Sequence, residues 1–156
     1  MNPRPPTRRK FLQMALAVPA MGAVTGSAWA MTSPVYKTAG AAIQGYDPVA
    51  YFTALKPVRG SDAYMLKWRG AIWRFSSAAN MAAFEMNPHT FAPQYGGYCA
   101  FVMSQGVIAE SIPEAWTIYQ DRLYLNFSTQ ARGFWRRDIT NYIEAANSFW
   151  PDILRS

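Results

Sequence analysis

Two stretches restrict this chain more than any other feature, each a pair of β-prone runs separated by two turn residues. Tyr64–Trp68 and Ala71–Phe75 flank Arg69-Gly70. Aromatic-rich runs around an X-Gly pair predict a hairpin, because glycine readily takes the left-handed backbone of a two-residue turn. Apolar and basic residues alternate along both arms, so Leu66, Trp68, Trp73 and Phe75 are expected inside, with Lys67 and Arg74 in water. Trp116–Tyr119 and Arg122–Phe127 repeat the pattern across Gln120-Asp121. There Trp116, Ile118, Leu123, Leu125 and Phe127 make the apolar side.

The remaining segments carry helix signals. Asp47 can cap the N–H groups of a short helix with Pro48 at its first position, turning Tyr51 and Phe52 inward. Ser76 or Ser77 caps a helix reaching Met86, with Met81, Phe84 and Ala82 inside and Asn87-Pro88 as its stop. His89 comes next in the loop Pro88–Phe91, and Ile108 to Pro113 reads as another loop. Ser128 caps a segment with Ala131, Phe134 and Trp135 inward. Asp138 opens the last helix, whose stripe is Ile139, Tyr142, Ile143, Ala146, Phe149 and Trp150, and Pro151 ends it. With 51% hydrophobic and 15% aromatic residues, a packed core is expected rather than disorder. The fold class is α+β: a small single domain in which two hairpins form an antiparallel sheet against several short helices and a C-terminal helix.

Residues 1–30 read as a leader and 31–156 as the domain. Thr7-Arg8-Arg9-Lys10-Phe11-Leu12-Gln13 matches the twin-arginine export pattern, Met14 to Val24 is apolar, and Ala28-Trp29-Ala30 is an A-x-A cleavage site. The apolar run is too short to span a bilayer and Pro19 interrupts it, so no permanent membrane anchor is expected. The periplasm is the expected destination. Four of the six net positive charges belong to this leader, as Arg4, Arg8, Arg9 and Lys10, whereas every acidic residue lies at or after Asp47. The chain beyond position 30 is close to neutral, which argues against a nucleic-acid partner.

Chemistry in this chain centres on its one cysteine. Pro93-Gln-Tyr-Gly-Gly-Tyr-Cys-Ala-Phe-Val-Met-Ser-Gln-Gly106 places Cys99 behind Gly96-Gly97, with Met103 four residues on. If the segment after Gly97 is helical, thiol and thioether stack on one face, and soft sulfur ligands suit Cu(I). The competing role for both is core packing, and from the residue types alone that role ranks first. A single cysteine in an oxidising compartment closes no internal disulfide, so Cys99 is either buried, bound or paired with another chain. His89, the one histidine, is by default an exposed and inert loop residue.

These segments together resemble the YHS domain family, in particular its exported single-domain members. The residues carrying the resemblance are Gly45–Phe52, Phe75–Asn80, Tyr95–Ala100, Glu114–Thr117, Leu123–Asn126 and Asp138-Ile139. The resemblance implies a small α+β module of a kind often discussed as metal-binding, related to domains that bind metal through several cysteines. Ser76 and Ser77 stand here where such relatives place a cysteine, so no complete cysteine-based zinc site exists within one chain. The resemblance implies instead a one-thiolate site completed by Met103 or His89.

Three functions are expected in turn. The first is a periplasmic metal-binding module, copper favoured, with Cys99, Met103 and His89 as ligands. The second is a metal-free module binding a small molecule, a protein partner or a second copy of the chain. Its aromatic-lined cleft would use Tyr46, Tyr95 and Tyr98, with Tyr51 and Trp116 as further candidates. The third, ranked last, is catalysis by Cys99 with His89 as base and Asp47 or Glu110 as third member, since no orienting acid stands out near either.

Overall fold

The computed structural model describes residues 31–156; the leader and its cleavage site lie outside the described residues. The domain opens with two short strands, β1 (Lys37–Thr38) and β2 (Ala41–Ala42). A helix of one turn, α1 (Ala50–Thr53), precedes the first hairpin, β3 (Ser61–Trp68) and β4 (Ala71–Phe75). Then come α2 (Ala78–Met86), α3 (Pro88–Phe91) and α4 (Ala100–Met103). The second hairpin, β5 (Ile112–Tyr119) and β6 (Arg122–Asn126), leads into α5 (Thr129–Trp135) and α6 (Ile139–Phe149).

The α+β architecture is thus present, and both hairpins form where their turn residues stand. Arg69 and Gly70 have φ of 50° and 75°, and Gln120 and Asp121 have 49° and 57°, the left-handed pair that lets strand twist continue through a two-residue turn. The hairpins do not share one sheet, however. β4 takes β2 as a parallel neighbour, giving a four-stranded mixed sheet in the order β1-β2-β4-β3, while β5 and β6 form a separate two-stranded sheet. The cause is that the second edge of β4 is occupied by the N-terminal strands, which leaves β5 and β6 no edge there to join. Residues Ile112 and Pro113, expected in a loop, begin β5, whose register with β6 shifts between Ile112 and Trp116.

Two apolar clusters meet at β6. Leu123 and Leu125 join Ile43, Val49, Tyr51, Trp73, Phe75 and Phe84 in one. Tyr124 joins Tyr95, Tyr98, Met103, Trp135, Ala146 and Leu154 in the other. Successive residues of a strand point to opposite faces, so β6 is buried on both, and Asn126 is sealed with it. Complete burial of a side chain such as Phe84 contributes about 2–3 kcal/mol.

Caps fall where the residues predict them. Ser77 Oγ accepts from the Asn80 N–H at 3.1 Å and Ser128 Oγ from the Ala131 N–H at 3.0 Å. Several expected core positions turn out otherwise. Ala82 is exposed and Ala83 packs inward, because Phe84 sets the inner face of α2. Phe127 is 44% exposed, since β6 ends one residue before it and the chain turns out to the Ser128 cap. Phe134 stacks on Phe101 at the surface, and Phe149 lies over Gly106, where an added Cβ would meet the ring at 2.9 Å.

Candidate functional site: a sealed thiol and an aromatic cleft

Cys99 is wholly buried. Its backbone is extended (φ −61°, ψ 116°), so Cys99 is the N-cap of α4 rather than part of it, and its carbonyl accepts the Met103 N–H at 3.0 Å. The extended conformation has a cause: Cys99 bridges to Leu125 of β6 and its N–H donates to the Ala109 carbonyl at 3.0 Å. The thiol donates to Asn126 Oδ1 at 3.6 Å, and the same oxygen accepts the Phe101 N–H at 3.0 Å. Burial pushes the thiol pKa above its ordinary value, against the opposing pull of the Val102, Phe127 and Phe101 backbone groups. Met103 is also wholly buried, as a member of the second apolar cluster.

The paired glycine upstream is a place of close approach. Gly96 (φ +63°) leaves room for the Pro34 carbonyl, which an added Cβ would meet at 2.1 Å, and its own carbonyl accepts the Tyr36 N–H at 2.9 Å. Gly97 (φ +88°) would push a Cβ to 2.9 Å from Ile43 Cγ2. These residues lock the N-terminal segment onto the centre of the domain.

His89 lies elsewhere. It sits on α3, not in a loop, is exposed, and packs its ring edge-on to Trp68 with centroids 5.4 Å apart. Among the described residues no group of three or more His, Cys, Asp or Glu side chains could hold a metal ion. His89 is exposed on α3 whereas Cys99 and Met103 are buried, and burial favours the neutral thiol over the thiolate that a soft metal requires. The same facts leave Cys99 without a base. Glu110 meets the Tyr36 hydroxyl, 3.5 Å away, and Asp47 is committed to structural hydrogen bonds.

The expected aromatic set is dispersed. Tyr46 is covered by the Arg59 guanidinium at 5.0 Å. Tyr51 is buried, with its hydroxyl on the Pro113 carbonyl and its ring 5.5 Å from Trp116. Tyr98 is buried and donates to the Ser33 carbonyl at 2.9 Å. Of the expected trio Tyr46, Tyr95 and Tyr98, Tyr95 borders a cleft beside the Arg69-Gly70 turn, its hydroxyl tied to Asn147 Oδ1 at 3.0 Å.

That cleft has a volume of about 130 Å3 and is built by chain segments far apart in sequence. The turn of the first hairpin gives Trp68, Arg69 and Trp73; α3 and the segment after it give His89 and Ala92 to Gly96. Arg122 enters from the start of β6 and Trp150 from the end of α6. Trp73 is fixed from behind, its indole N–H donating to the Trp68 carbonyl at 3.1 Å. Residue patterns do not reveal this cleft because its walls share no local window. No family model, curated protein or solved structure matches the chain.

Proposed function

We propose that the chain is a YHS-like binding module that, once exported, holds a small organic molecule in the cleft beside the Arg69-Gly70 turn. The observation that carries this reading is the lining: the half-buried Trp68 and Trp150 and the buried Trp73 and Tyr95 border the cleft together with the polar side chains of Arg69, His89, Gln94 and Arg122. Small-molecule sites are built this way, with aromatic surface for affinity and sparse polar groups for orientation. The volume limits the occupant to about one ring, well under the roughly 300–1,000 Å3 of sites for drug-sized ligands. The resemblance to the YHS family and the twin-arginine pattern support the module and its destination. The role of Cys99 in this reading is structural.

A single-ring fragment set, titrated into the purified protein and followed by aromatic and indole NMR signals, tests it. Saturable shifts gathered on Trp68, Trp73, Tyr95 and Trp150 are the expected result. If no fragment gives saturable shifts there at millimolar concentration, the cleft is not a binding site.

A further inference from the structure

The polar side chains that reach this cleft are of one kind. Arg69 and Arg122 border it with His89 and Gln94, and no Asp or Glu is among its lining residues. Neither guanidinium forms an ion pair among the described residues, although Arg74 and Arg155 do. Arg69 is held by other means: its Cζ lies 5.1 Å from the Trp68 ring centroid. Stacking on an indole positions a guanidinium while leaving its in-plane N–H donors unused. The nearest acid in sequence, Asp121, borders an adjoining groove with His89 and Arg122 and makes no ion pair with Arg122. The half-buried Gln94 amide also has no hydrogen-bond partner among the described residues and adds a neutral donor.

We infer that the cleft selects an aromatic carboxylate: a single flat ring against the half-buried Trp68 and Trp150, with its acid group on Arg69 and Arg122. The inference rests on the proposed binding role of the cleft and narrows it. Two unpaired guanidiniums in one mouth repel each other, and a planar carboxylate relieves that repulsion by accepting the N–H donors of either fork. A bare inorganic anion would satisfy the arginines and leave the tryptophan walls wet, so the ring and the charge are recognised together.

Calorimetric titration of the purified protein with benzoate, and separately with benzamide, its neutral near-isostere, tests the charge alone. Benzoate is expected to bind at least ~10-fold more tightly at low salt, with the margin shrinking as ionic strength rises. The double variant Arg69→Gln, Arg122→Gln should lose that margin. Both arginines are exposed, and a matching thermal melt verifies that the variant is folded. Equal binding of the two probes by the parent, or an unchanged margin in the variant, overturns the carboxylate inference and leaves the cleft reading in place. If neither probe binds, both fall.

Discussion

At the scale of single residues, position 99 shows why a residue type does not specify a role. Cysteine can be a ligand, a nucleophile or a small hydrophobe, and the decision lies in whether water and a base can reach it. Here the sulfur has Asn126 as its hydrogen-bond partner and no exposed surface. Reagents must then wait for the domain to open. The expected outcome is that Cys99 reacts with an aromatic disulfide reagent at least ~10^3-fold more slowly in the native protein than in urea. Cu(I) uptake should likewise be the same for the native protein and Cys99→Ser. Fast native labelling, or Cu(I) binding lost in that variant, would overturn the sealed-thiol account. His89 illustrates the converse: its place in the sequence suggests nothing, yet α3 carries it to the rim of the cleft.

Asp47 acts at the scale of elements. Its Oδ1 accepts the Val49 and Ala50 N–H groups at 2.8 and 3.2 Å, opening α1 as the Asp-Pro pair predicts. Its Oδ2 accepts the Ser76 N–H, the Ser76 hydroxyl and the Asn80 amide at 2.8, 2.7 and 2.7 Å, which fastens α1 to the end of β4 and the start of α2. The first half of that role was legible, because a cap is local; the second was not, because Ser76 is twenty-nine residues away. Asp47→Asn puts an NH2 group against at least two donors whichever way the amide turns. A loss of about 2–4 kcal/mol is expected from urea unfolding, since buried donors to a charged acceptor are left unpaired. A loss below about 1 kcal/mol would show that these bonds do not join the elements. The hairpins were legible for the same reason as the cap: a two-residue turn and alternation are properties of a short window. Their separation into two sheets depends on β2 occupying the free edge of β4, which no window contains.

For the whole molecule, the two clusters share β6 and should unfold together. Several weak acids are buried in the domain. Burial holds the Cys99 thiol and the Tyr51, Tyr95, Tyr98 and Tyr124 phenols above their ordinary values, with neighbouring Glu114 adding to the rise at Tyr51 and Tyr124 at Tyr95. Each keeps its proton more tightly folded than unfolded, so its stabilising contribution is complete below the unfolded value and drains as pH climbs past it. The ordinary values are 9.0 for the thiol and 10.0 for the phenols. Urea midpoints should therefore hold steady from about pH 7 to 8.5 and fall progressively above pH 9, in one transition for fluorescence and circular dichroism alike. Constant midpoints up to pH 10.5 would contradict the burial of these groups.

The sequence by itself determined the turns, the caps and the α+β composition, since backbone preference and side-chain periodicity act over a few residues. Tertiary structure alone decided that Cys99 is closed off, that Tyr46, Tyr95 and Tyr98 stand apart, and that Trp68, Arg69, His89, Arg122 and Trp150 share a cleft. Those outcomes depend on which faces of β6 and α3 are covered, and coverage is set by segments distant in the chain.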